Sequence, residues 1–547
     1  MTLVDRAVTW RPGRGKAAWS LALARRLAGR GDAVGAARAL AAAARAGSVV
    51  AMRDLAELLQ RGHGVLADPA AAFRWNTAAA EAGDVEAQAR LAALYSTGVG
   101  KPPDEGERAP GAFHLPQDLA EARKWAEKAA NQGHVETQVL LGWLLSRLSG
   151  ADCDMQVAAD WYRRAADAGS HAAKVGLALI LSNGDLGEPD PVGALRLHEE
   201  AAAVGNPTAL YYVAMAYITG QGASRDLERG LQALRKAADA QVVAAQRALG
   251  VMYMRGQDLP MDAAAAETWL RRAALRGDVE SMALLGDLHA SRQARSPSDI
   301  EAAQWYQGAA DRGHPGSQMA LALAYQAGRG VPKDPFEAVR WFGKAADNGF
   351  TPAHFRLGLC HLGGDGVPQD YARAGHHFRL AGEAGHADSL YNLGVLHYHG
   401  YGLEKSEEQA MRLYGLAAEK GSASAQFRVG RAYATGNGLP HDPQAALTWT
   451  RAAAEQGHVP GQVNLARMLL GMGKTHVEEA RGWLVKAGDA GSGEAMITMA
   501  ELIATYDGPA AIEDALAWAR RGTDAGDPRG PQVMETLQAR AFQGTVR

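Results

Sequence analysis

Six of the 17 histidines fall within 39 residues, at His361, His376, His377, His386, His397 and His399. Imidazoles gathered at close range can hold zinc or a related metal. The same residues have a second reading. His361 and His397 stand at one recurring position of the chain and His377 at another, and His386 belongs to a Gly-His pair that returns at His134, His314 and His458. Histidines placed by a pattern serve packing or helix capping, and a metal shell further needs donors that converge in space. No metal is assigned on spacing alone. The familiar catalytic signatures are missing: there is no GxxxxGK[ST] loop, no HExxH and no CxxC. Gly-x-Gly recurs at Gly328/Gly330, Gly400/Gly402 and Gly436/Gly438, each time between helices and not after a strand, so it does not read as a dinucleotide fingerprint. The expectation is a chain that is not an enzyme and has no cofactor.

The elements that carry these residues follow from a repeat. Trp125, Trp161, Trp269, Trp305, Trp341 and Trp449 lie on one 36-residue grid. Eight residues after most grid points comes a glycine, as in Gly133, Gly169, Gly205, Gly277, Gly313, Gly349, Gly385, Gly421 and Gly457, and Gln241 is the exception. One unit, Ser317 to Ala353, shows what the period means. Leu321, Ala322 and Tyr325 share one helical face. Gly328 to Pro332 then makes a turn, because glycine accepts positive φ and proline cannot continue a helix. Asp334 reads as an N-cap followed by Pro335 at the first helical position. Ala338, Trp341, Ala345 and Ala346 form the apolar stripe of a second helix that Gly349 ends. Each unit is a helix–turn–helix hairpin, with alanines at close contacts and the large Trp and Tyr side chains filling the layers.

Bulk properties agree with such an array. The chain has 547 residues, a net charge of −3, 47% hydrophobic and 21% charged residues, and a repeat array lengthens without enlarging a single core. Near-neutral charge gives no general pull on nucleic acid. Only two cysteines occur, Cys153 and Cys360, which reads as reduced thiols in the cytoplasm. No apolar run approaches the roughly 20 residues of a membrane span. The N-terminus carries Arg6, Arg11, Arg14, Lys16, Arg25, Arg26 and Arg30 against Asp5, which reads as a basic helical cap, an export signal being the other possibility.

The units resemble the Sel-one-like repeat (SLR) family, relatives of the tetratricopeptide repeats. HFRLGLCHLGGDGVPQDYARA and FRVGRAYATGNGLPHDPQAALTWTRAAAEQGH carry the pattern, as does the unit above. The resemblance implies an all-α, right-handed superhelical solenoid of about fourteen helix–turn–helix repeats of 36 residues. Residues 1–50 read as the basic cap and a degenerate first repeat, 51–530 as the array and 531–547 as a C-terminal capping helix. Trp75 and Trp125 are 50 residues apart, 14 more than the period, so the segment Lys101 to Pro116 is read as the place of the insert, with Phe113 as its exposed apolar residue. The unit after Gly461 lacks the Gly-x-Gly turn.

One further series is a candidate binding surface. Met319, Phe355, Tyr391 and Phe427 follow one another at 36-residue steps, with Tyr211 as an earlier counterpart. By analogy with tetratricopeptide arrays this position lines the concave groove, where Arg356, Asn392, Arg428, Tyr398 and His399 would add contacts. Aromatics and arginine dominate binding hot spots. The other reading is that the ladder packs adjacent first helices together. The resemblance implies a scaffold or adaptor that binds a partner protein or peptide. Alternatives are a component of a bacterial envelope export or exopolysaccharide-secretion apparatus, found in the periplasm, and a metal-binding protein using the histidine cluster.

Overall fold

The computed structural model describes residues 14–100, 113–147 and 154–545. Among them 29 α-helices follow one another, most of 13 residues, about 20 Å each at 1.5 Å rise per residue. The chain divides into two units, Met1–Asp262 and Ala263–Arg547. The first holds six successive helix hairpins, from Arg14–Ala28 with Ala33–Arg45 onward, and then Val243–Arg255. The second opens with Ala263–Ala274, continues with seven hairpins and closes on Gly530–Thr545. The division therefore falls inside one repeat, between its two helices.

Local chemistry sets the boundaries. In the hairpin of Pro315–Ala327 and Pro335–Asp347, Gly328 ends the first helix at φ 70°. The Asp334 carboxylate accepts from the backbone N–H groups of Phe336 and Glu337, and Pro335 opens the second helix. Buried glutamines add a second device. Gln318, Gln426 and Gln462 each donate from Nε2 to the carbonyl of the second alanine in the preceding Ala-Ala pair, Ala310, Ala418 and Ala454. Each adds a side-chain donor to a helix-end carbonyl that also accepts from the N–H of the glycine three residues on, Gly313, Gly421 or Gly457.

The second glycine of the turn is there for a different reason from the first. A Cβ on Gly330 would stand 1.9 Å from the Asp299 carbonyl oxygen, and one on Gly366 would stand 2.1 Å from that of Pro335. Each turn thus rests on the start of the second helix one repeat earlier, at a separation that admits no side chain.

Among the described residues, three that are not glycine hold positive φ: Gln241 at 67°, Asp258 at 64° and Arg292 at 64°. They occupy the positions that Gly349, Gly330 and Gly328 fill in later repeats. The backbone pattern is therefore kept even where the residue type is not. An L-residue in this region costs roughly 1–2 kcal/mol. Replacing Gln241 with glycine is expected to raise the thermal midpoint of the chain, and an unchanged or lower midpoint would show that the contacts of the glutamine side chain offset the strain.

The packing layers differ from the sequence reading. Trp125 and Trp341 are buried, but Trp161, Trp269, Trp305, Trp449, Trp483 and Trp518 are only half-buried. The residue after the tryptophan position is the one that fills the hairpin: Tyr162, Tyr306, Phe342, Phe378 and Tyr414 are all buried. Glycines face several of these rings, and a Cβ on Gly286, Gly358 or Gly394 would lie 2.5, 2.5 or 2.8 Å from Tyr306, Phe378 or Tyr414. The tryptophans sit beneath a cation instead. Lys128, Arg164, Arg272, Lys344, Lys486 and Arg521 each cover the indole three residues before them, at 3.8–4.7 Å from the ring centre. Such contacts contribute about 0.5–1 kcal/mol at exposed sites.

Two irregularities complete the fold. Where Gly-x-Gly is absent, a short 3-10 turn, Lys474–His476, leads into Val477–Asp489. At the insert, Val99 and Leu115 exchange backbone hydrogen bonds of 2.8 Å in both directions. Phe113, expected to be exposed, is half-buried with its ring 5.4 Å from that of Phe73. The remaining insert positions 101–112, Arg6, Arg11 and Cys153 lie outside the described residues.

Candidate functional site

The six clustered histidines separate into four environments. His386 is an N-cap, its Nδ1 accepting from the Ser389 backbone N–H at 3.2 Å, and His314 and His458 do the same for Ser317 and Gly461. His397 lies 3.0 Å from the Glu404 carbonyl. His399 is exposed, edge-on to Tyr398 and stacked on Tyr401. Only His361, His376 and His377 come together, joined by His354, which spacing alone did not single out.

His377 is the centre of that group. Its ring centre lies 5.5 Å from His354, 5.6 Å from His361 and 5.5 Å from His376, and Nδ1 of His354 and of His377 are 3.2 Å apart. Burial, together with the neighbouring imidazoles and Arg373, pushes the His377 pKa down to about 4. Burial also lowers His354 and His361. The neutral rings stack as a packed layer. Among the described residues, the set of three metal-ligating side chains whose donor atoms lie within 4.8 Å of one another is elsewhere, at Glu267, His289 and Glu301.

The aromatic ladder is half-buried along its length. Phe355 packs on His386, the cap of the next first helix, at 4.5 Å, and Phe427 packs on His458 at 5.0 Å. Tyr391 lies 5.5 Å from Tyr414 and Met319 joins the core around Trp341. Arg356 and Asn392 are half-buried beside them, and Tyr211 contacts Tyr212 in the first unit. One flank of each of Phe355, Tyr391 and Phe427 is therefore taken up by packing.

Tyr398 and Arg428 meet in a more open place. Together with Met411, Tyr414, Arg431 and Glu408 they line a surface pocket of about 410 Å³. Tyr398 is 37% exposed. The phenol of Tyr414 at the floor has its pKa pushed up to about 12 by burial. The pocket offers an aromatic edge, an apolar Met, two guanidinium groups and the two carboxylates of Glu407 and Glu408.

The profile of the Sel1 repeat matches thirteen segments that run from residue 49 to residue 492, including 315–350, 351–386, 387–422 and 423–458. The chain belongs to the Sel1 repeat family. Two of the matched segments, 85–109 and 108–134, are the two halves of the repeat that the insert separates. Among solved structures, c5321, a protective antigen of uropathogenic Escherichia coli with an SLR fold, is similar to this Sel1 repeat chain at 26% identity and a TM-score of 0.53, covering 88% of this chain and 96% of its own. A Sel1 repeat protein from Oxalobacter formigenes has 26% identity over 62% of this chain and 88% of its own, with a TM-score of 0.33. No curated protein gave a significant match. Sel1 repeat proteins are in general protein-interaction scaffolds, and among the described residues no helix is long and apolar enough to cross a membrane.

Proposed function

We propose that this chain is a cytoplasmic scaffold without catalytic activity that holds a partner protein or peptide on the concave face formed by its first helices. The observation that carries this reading is the pocket of Tyr398, Met411, Tyr414, Arg428 and Arg431. Its contents suit an extended segment that sets an acidic group against Arg428 and Arg431, a basic or hydrogen-bonding group against Glu407 and Glu408, and an apolar group against Met411. Arginine pairs a carboxylate in a fixed fork geometry, and the tyrosines supply contact area with few rotors to freeze. The ladder of Met319, Phe355, Tyr391 and Phe427 would continue the same face toward earlier repeats.

The test compares affinity capture by wild-type protein, a Tyr398→Ala/Arg428→Ala variant and a Phe355→Ala/Tyr391→Ala/Phe427→Ala variant, with circular dichroism on each. The double variant is expected to lose a partner while keeping a melt close to wild type, since Tyr398 is exposed and Arg428 only half-buried. The triple variant is expected to melt earlier, by the packing described above. If the double variant captures the same partners with the same affinity, the pocket is not the binding site.

A further inference from the structure

A second group of chemistry-bearing side chains lies apart from the pocket, in the second unit. Glu267 and Arg271 are on Ala263–Ala274, His289 is near the end of Val279–Ala290 and Glu301 is in the first turn of Asp299–Ala310. His289 is 1% exposed, and neither of its ring nitrogens has a hydrogen-bond partner. A buried imidazole without partners is unusual, because desolvated polar groups are nearly always satisfied. Its Nε2 lies 3.3 Å from Glu301 Oε2 and 3.8 Å from Glu267 Oε1, near enough for ion pairing but without hydrogen-bond geometry to either. Zinc bonds to nitrogen and oxygen of about 2.0–2.2 Å set neighbouring tetrahedral donors roughly 3.3–3.6 Å apart. The His289 and carboxylate donors therefore already stand near the spacing of a zinc shell.

A cation also stands there. Arg271 Nη2 donates to the same two oxygens, at 2.7 Å to Glu267 and 2.9 Å to Glu301. The guanidinium holds the two carboxylates together and compensates their charge, as a metal ion would. A surface pocket of about 340 Å³, lined by Thr268, Arg272, Leu275 and Arg295 as well as Glu267 and Arg271, gives this side chain room to leave and an ion a way in.

We propose that Glu267, His289 and Glu301 form a binding site for a divalent metal of the zinc type, with Arg271 as the counter-ion that the metal displaces. One imidazole and two carboxylates neutralise the ion and supply three ligands, a set that zinc accepts with a fourth position left to water or to a group entering from the pocket. The metal bonds to Nε2 of His289, a nitrogen that makes no hydrogen bond within the protein. It also ties three successive helices to one point.

The test is a calorimetric titration of the metal-free full-length chain with zinc chloride, read beside the thermal midpoint with and without zinc. One site per chain is expected that raises the midpoint and is missing from both His289→Ala and Glu301→Gln. Glu301 is 41% exposed, so its amide variant folds even if the His289 variant does not. Arg271→Gln is expected to bind roughly tenfold more tightly, since a positive charge no longer competes. Zinc held at the His354–His377 layer would persist in all three variants and is thereby separated. The proposal is overturned if wild type binds no zinc that Glu301→Gln loses, including the case in which only Arg271→Gln binds, which would make Arg271 a permanent partner of the carboxylates.

Discussion

Gly366→Ala is expected to destabilise the second unit by about 2–5 kcal/mol, with the αL backbone contributing about 1–2 and forced displacement of a packed neighbour about 1–3. The residue has φ 71°, and an added Cβ would meet the Pro335 carbonyl oxygen at 2.1 Å and its carbon at 2.4 Å. Pro335 is the first residue of a helix capped by Asp334, so the obstacle is backbone that cannot rotate aside. Gly349→Ala is the matched control: φ is 79°, but nothing lies within 4 Å of the added Cβ. It is expected to cost only the backbone term. Thermal melts of the two variants separate strain from contact, and equal losses would show that the approach of turn to helix adds nothing to stability.

Acid is expected to weaken the fold through two histidines at different repeat positions. His377 is held at a pKa of about 4 by burial and by His354, His361, His376 and Arg373 around it. His198, 4% exposed and stacked on Tyr212 at 4.8 Å, is held at about 4 by burial alone. Both values lie below the roughly 6.5 of a free imidazole. Between these limits the unfolded chain binds more protons than the folded one, so stability is complete above about pH 6.5 and is lost as pH falls toward 4. Each residue accounts for roughly 2–3 kcal/mol of loss at pH 4.5, on the linkage relation. Carboxylates add to the acid effect, so the comparison is with variants that restore the repeat pattern. His377→Trp and His198→Phe place at these positions the residue types of Trp341 and Phe342. Each is expected to reduce the fall in thermal midpoint between pH 7.5 and pH 4.5, and parallel falls in variant and wild type would remove the histidines from the account.

Caps and turns were legible in the sequence because they are local. Asp334, Pro335, Gly328 and Gly349 act within a few residues of themselves, and the 36-residue period repeats the evidence many times. The buried aromatic was harder to see. Trp341 stands out by its rarity, whereas Phe342 and Phe378 are recognised as the filling of the hairpin only when Gly358 is seen to face Phe378. His354 was missed for a similar reason, since its meeting with His377 joins two helices through a side-chain direction. His289 occupies the position of Tyr325 and His361 one and two repeats later, and so reads as packing. Glu301 too has counterparts in Glu121 and Glu337, whereas Glu267 stands where Ala303 and Val339 follow, so the encounter of the three rests on one residue that the period does not repeat.

The Val99–Leu115 bridge has a consequence for how this array can change in length. Because each turn leans on the repeat just before it, whole repeats can be duplicated without altering any contact, while additions of other sizes would throw the succession out of step. The paired hydrogen bonds at Val99 and Leu115 permit such an addition. They bring the chain back to the place it left, so that Val85–Thr97 and Leu119–Asn131 still form an ordinary hairpin. The bridge is a natural socket for grafting: a foreign peptide or a small folded module could replace residues 101–112, with the helices on either side unaware of its length.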